Sequence, residues 1–143
     1  MKKESRKEAP VDFQTLPRFV AIVGSREFIY KHWVTAFVER LRTDSVVVSG
    51  GARGVDTWAD EAAIECGLKR KIFPIEDWEW QAIGNKAAHI RNEAIARYIK
   101  FNDGHLFAFG MMRLDGSLTK GTQDVITTAD AIGVPTTIFT AGI

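Results

Sequence analysis

Val46-Val47-Val48-Ser49-Gly50-Gly51-Ala52-Arg53-Gly54-Val55-Asp56 decides the fold, because an apolar run ends in glycines and passes directly into a helical pattern. A strand that feeds a helix N-terminus in this way leaves backbone N–H groups facing one crevice, where they can hold phosphate or another anion. The glycines permit positive φ and let a ligand approach the backbone, and Asp56 is placed to cap the following helix through its side chain. The plain alternative is a tight strand-to-helix turn with an N-cap and no ligand.

The same grammar extends in both directions. Upstream, Phe19-Val20-Ala21-Ile22-Val23 ends at Gly24-Ser25-Arg26 and leads to Trp33, Phe37, Val38 and Leu41 at helical spacing. Downstream, residues 57–66 read as a helix with Trp58, Ala59, Ala62, Ala63 and Cys66 on one face and Gly67 as its stop. Lys71 to Ile75 reads as a short third strand, followed by a Trp-rich loop and a helix over about 85–99. Then come a strand at His105 to Phe109, a polar glycine loop, a helix over about 122–132 stopped by Gly133, and a last strand from Thr136 to Thr140. Strands alternating with helices predict an α/β domain: a mostly parallel sheet of about five strands with helices on both faces. Residues 1–17 lack a period and contain Pro10 and Pro17, so they read as an extended or flexible N-terminal arm on which Phe13 and Leu16 could still dock; the domain is 18–143.

With 143 residues, 45% apolar and 26% charged, the chain suits one soluble domain. A net charge of +1 argues against non-specific nucleic-acid binding as the main activity, which normally shows a strongly basic face. Cys66 is the only cysteine, so no internal disulfide forms, and no run approaches the ~20 apolar residues of a membrane span. A cytoplasmic protein without membrane contact is expected.

In open parallel sheets the ligand crevice lies beyond the carboxyl ends of the strands. Gly24-Ser25-Arg26, Ser49 to Asp56, the loop after Ile75 and the loop ending in Thr119-Lys120-Gly121-Thr122 should therefore share one rim. The dinucleotide Gly-x-Gly-x-x-Gly fingerprint and the lysine-terminated P-loop are both absent, which disfavours an ordinary dehydrogenase or ATPase. Arg91 lies on the stripe Ala87, Ile90, Ala94, Ile95 and Tyr98 of its helix. Such a charge either pairs with a buried acid such as Asp56 or offers its guanidinium to phosphate. Trp78 either caps the core or stacks on a base, Asp56 and Asp77 can take a ribose hydroxyl or Arg91, and Asp124 is a helix-dipole acid, a ribose ligand or a general acid/base. Ser25 and Ser49 read as hydroxyl donors to phosphate. His32, His89 and His105 lack metal-ligand spacing and read as structural or surface residues, so neither a metal nor a cofactor is expected.

Taken in order, Gly24-Ser25-Arg26, Ser49 to Asp56, Asp77-Trp78 with Gly84 to Asn92, and Gly121-Thr122 resemble the SLOG superfamily, and within it the YspA-like branch. The similarity covers about residues 18–140. It implies a Rossmann-like domain, a homodimer or larger homo-oligomer, that holds a nucleotide-derived small molecule as sensor or carrier. The matching positions are Gly50 to Gly54 and Gly121-Thr122 as phosphate loops and Arg91-Asn92 in the central helix. Two alternatives accompany it: a LOG-like phosphoribohydrolase with Asp124 as catalytic acid, and DprA-like single-stranded DNA binding. LOG-type enzymes carry a glutamate three residues after the threonine of their Gly-Thr motif, where this chain has Val125. The leading expectation is a bound nucleotide derivative, with nucleic acid an unlikely partner.

Overall fold

The computed structural model describes residues 11–142. Its two most apolar runs form β1 (Phe19–Gly24) and β2 (Val46–Ser49), which are buried on both faces, as continuous Val/Ile runs demand of parallel strands. They pair parallel with Val20 opposite Val47 and Ala21 opposite Val48. The remaining elements are α1 (Lys31–Glu39), α2 (Val55–Glu65), β3 (Lys69–Ile72), α3 (Asp77–Ile83), α4 (Lys86–Phe101), β4 (His105–Met112), α5 (Lys120–Ile132) and β5 (Thr136–Gly142). All strand pairs are parallel in the order β3-β2-β1-β4-β5, the doubly wound arrangement expected from the sequence. Strand order reverses between β1 and β4, so the ends of these strands open the crevice of such sheets.

Side-chain alternation divides the core into two layers. On one face Val20, Ile22, Val47, Phe107 and Phe109 meet α1 through Trp33, Val34, Phe37 and Val38, and α2 through Val55, Ala59 and Ala63. On the other, Ala21, Val23, Val48, Leu106 and Ala108 meet Ile95, Ala96 and Ile99 of α4 and Val125, Ile126 and Ala129 of α5. Small residues in α2 let that helix lie close to the sheet. On the sheet side Gly24 of β1 serves the same close approach, since a Cβ there would collide with the Phe109 carbonyl and press into Val55 of α2.

Several boundaries differ from the sequence expectation. The Trp-rich connection is the helix α3, which has no buried residue and hence no apolar period to read. Its local signal is Glu79 Oε1, which accepts the Glu76 N–H at 3.1 Å in the manner of a capping box. The third strand is 69–72 rather than 71–75, because the basic edge segment Lys69-Arg70-Lys71 pairs with β2 through its backbone. Cys66 is exposed at the end of α2 instead of facing the core. Ile90 is also exposed; the inner side of α4 carries Ala87, Asn92, Ile95, Ala96 and Ile99, and Arg91 sits at its margin. Residues 11–17 of the expected arm are docked: the Phe13 ring lies 5.1 Å from Phe37 and 4.4 Å from the Arg40 guanidinium, and Arg42 donates to the Leu16 carbonyl at 2.8 Å. Residues 1–10 and 143 lie outside the described residues. Among those described, no helix is long and apolar enough to cross a membrane.

Candidate functional site

At the carboxyl ends of β1 and β2 a cavity of about 410 Å³ is walled by Gly24 to Glu27, by Gly50 to Arg53, by Arg91 and Asn92 of α4, and by Thr119, Gly121 and Thr122. Ile75 and Trp80 complete the wall, so all four segments expected on this rim reach the cavity. Gly51 and Gly54 adopt φ of 75° and 82°, which is where the β2–α2 turn requires glycine.

Asp56 organises the cavity floor. It is 3% exposed, and its carboxylate accepts the Gly50 N–H at 3.0 Å and the Gly24 N–H at 3.2 Å, so one side chain clamps the ends of both central strands. It is not an N-cap, since Gly54 precedes the helix and Asp56 already lies in the first turn. Burial pushes its carboxyl up to about 6, against the opposing pull of the Arg91 guanidinium and the loop amides. A side chain so engaged has little left to offer a ribose.

Arg91 donates from Nη1 to the Gly50 carbonyl at 2.7 Å and from Nε to Asn92 Oδ1 at 3.0 Å. Burial lowers its pKa most, Asp56 opposes that, and Arg26 adds a further lowering by like-charge repulsion. Arg26, Arg53 and Arg91 line the same cavity, where Asp56 and Glu27 are the only acids among the described lining residues, leaving an excess of one positive charge when all are ionised. That excess positive charge is what an anion would neutralise. Ser25 accepts the Glu27 N–H at Oγ (2.9 Å), which fixes the β1 loop. Thr122 is buried, with its hydroxyl 3.0 Å from that of Thr119.

Other expected residues fall elsewhere. Ser49 is buried inside β2 with its Oγ unpartnered, and neither it nor Gly54 lines the cavity. Asp77 and Trp78 also stay out of it: Trp78 points to solvent at the start of α3, and Trp80, two residues on, lines the wall in its place. Asp124 stands behind Asn92 rather than in the cavity, accepting Asn92 Nδ2 at 2.8 Å. His89, taken from sequence for a structural or surface residue, places Nδ1 2.9 and 3.1 Å from the two Asp124 oxygens. No local signal could have shown this, because the partners are on different helices. Val125, at the position of the LOG-type glutamate, is buried and presents an apolar side chain to the cavity lining. Among the described residues no group of three or more His, Cys, Asp or Glu side chains could hold a metal ion.

Fold and site define the class: a doubly wound, Rossmann-like domain whose glycine loops and arginines meet in one cavity at the strand ends. Within that class, the family model for DNA recombination-mediator protein A matches residues 10–72, the segment from the docked arm through β3 that supplies the β1 and β2 loops. The X-ray structure of DNA processing protein A (DprA) from Streptococcus pneumoniae resembles this one with a TM-score of 0.51 at 20% identity, over 88% of this chain. The resemblance spans 60% of the DprA chain. At that identity the likeness establishes the shared fold. No curated protein matches. The family-model match supports, over residues 10–72, the SLOG/DprA-like superfamily expected from the motifs, and the structural likeness supports its fold. They also overturn the expectation that nucleic acid is an unlikely partner, since both are to proteins named for handling DNA. The physical reason is that a net charge of +1 is an average, whereas Arg26, Arg53 and Arg91 are concentrated at one cavity.

Proposed function

We propose that this domain binds single-stranded DNA by seating a nucleotide and its phosphate in the cavity at the strand ends, as a member of the YspA-like branch of the superfamily. The branch assignment rests on Gly24-Ser25-Arg26, Gly50 to Asp56, Arg91-Asn92 and Gly121-Thr122. One observation carries the binding reading: Arg26, Arg53 and Arg91 line one glycine-rich cavity. Trp80 supplies a wall on which a base can stack, a contact that tolerates any sequence. The DNA-related matches favour a strand over a free ligand. A free nucleotide derivative is the second reading, favoured by the volume of about 410 Å³, which suits a small molecule.

Fluorescence anisotropy of a labelled single strand, with mononucleotides as competitors, tests both. Three phosphate contacts at ~0.7 each give a log–log salt slope near −2, a loss of roughly twentyfold between about 50 and 200 mM salt. Competition at the same salt by a nucleoside monophosphate would locate the strand in the cavity. Thermal stabilisation by the mononucleotide with no DNA binding would establish the second reading, and no response to either would overturn both.

Gly50→Ala is expected to disable the cavity with modest damage to the fold. A Cβ there would collide with the Arg91 guanidinium and come within 2.8 Å of Asp56 Oδ2. The arginine end can swing away, so the unfolding midpoint should drop by only a few degrees, corresponding to about 1 kcal/mol. DNA affinity should fall about tenfold as the guanidinium leaves its place.

A further inference from the structure

The structure assigns Asp124 of α5 a positioning role: through Asn92 it fixes the direction in which Arg91 presents its guanidinium to the cavity. Four side chains form one hydrogen-bonded line from the surface inward. His89 Nδ1 meets both Asp124 oxygens at 2.9 and 3.1 Å, and Asn92 Nδ2 donates to Asp124 Oδ2 at 2.8 Å. Arg91 Nε then donates to Asn92 Oδ1 at 3.0 Å, and Arg91 Nη1 to the Gly50 carbonyl at 2.7 Å.

Chemistry forces the polarity of this line. A carboxylate only accepts and a guanidinium only donates, so the buried Asn92 amide must turn its nitrogen to Asp124 and its oxygen to Arg91. If the Asp124 acceptor is removed, Asn92 Nδ2 loses its partner and only the Arg91 Nε–H still holds the amide, so the Asn92–Arg91 pair is anchored at one end instead of two. His89 braces the carboxylate from outside, with its Nε2 3.3 Å from Glu93 Oε1. Both oxygens of Asp124 are therefore engaged away from the cavity wall, which suits a positioning residue rather than a catalytic one.

A selectivity follows for the ligand, and this part rests on the phosphate reading of the cavity. With Nε occupied by Asn92, the side-on edge of the guanidinium is closed. The end-on fork of Nη1 and Nη2 remains, with three of the five N–H donors unspent. An anion is received at the tip of Arg91, in line with the side chain.

A double-mutant cycle tests the role, using the full chain and a labelled single strand. Asp124→Ala should weaken binding about tenfold in the native background. In the Arg91→Ala background it should add nothing, because the group it positions is gone. Asp124→Asn, which keeps an acceptor oxygen for Asn92, should restore most of the affinity. Equal loss in both backgrounds, or no loss in either, would overturn the proposal. If Arg91→Ala binds DNA as the native protein does, the phosphate reading fails, and the positioning role is then read without ligand. The Arg91 Nε–H resonance should be protected from exchange in the native protein and in Asp124→Asn, and lose protection in Asp124→Ala. Unchanged protection in Asp124→Ala would end the proposal.

Discussion

Asp56→Ala is expected to destabilise the domain by about 3–5 kcal/mol, because it orphans one buried and one part-buried amide at about 1–3 kcal/mol each and leaves Arg91 without its buried counter-charge. The amides are those of Gly24 and Gly50, at the ends of the two central strands. For a domain of this size the loss corresponds to a fall of roughly 10 °C in the unfolding midpoint. The deficit carries a pH signature. Burial raises the Asp56 carboxyl to about 6 in the folded protein, above the ~3.9 of an unfolded chain. Between those values the native state holds a proton that the unfolded state has released, so this group's favourable contribution is complete below about pH 4 and declines as pH rises to about 6. The stability gap between native protein and Asp56→Ala should therefore be widest near pH 4, narrow towards pH 6 and stay level above about pH 7. Urea unfolding at a series of pH values measures it. A gap that widens with pH would mean that Asp56 is stabilised as a carboxylate, and the burial argument would fail.

Which parts of this could be read beforehand follows from where the information lies. β1 and β2 were legible because strands buried on both faces must be apolar at every position, and the glycines at their ends punctuate the chain. β3 was displaced because its Lys-Arg-Lys side chains are exposed and its pairing is made by the backbone. α3 was missed because a helix with no buried residue has no periodicity to recognise. Arg26 and Arg53 are legible because they stand in glycine turns that follow strands, which topology sends to one rim, and Arg91 because it is a charge on the apolar stripe of its helix. Asp56 is legible as a helix cap and as an acid for Arg91, yet its acceptance of the Gly24 N–H joins residues 32 apart and has no local trace. The same holds for His89 and Asp124, separated by 35 positions. Net charge misled because it sums the molecule, whereas binding responds to the local field at one cavity.

Arg91→Ala separates recognition from folding, and two effects of opposite origin are expected. Binding of single-stranded DNA should fall about a hundredfold, since a guanidinium that offers a two-pronged, charge-assisted contact is worth about 2–3 kcal/mol. Stability should fall as well, because Arg91 is the cation that holds the Asp56 carboxyl down against burial. Without it that carboxyl rises further, so the folded protein at pH 7 must keep a poorly compensated carboxylate or take up a proton. The variant should therefore recover stability as pH is lowered towards 5, where protonation removes the buried charge. Arg91→Lys divides the two effects. It retains a positive charge near Asp56 and should unfold close to the native midpoint, but an ammonium lacks the planar fork and the Nε–H that Asn92 receives. Its DNA affinity should stay well below native, within about tenfold of Arg91→Ala. Native-like binding by the lysine variant would mean that the cavity requires only charge, and the end-on geometry would lose its role. Native-like binding by the alanine variant would remove Arg91 from the binding site and leave it as the counter-charge that allows Asp56 to join the two central strands.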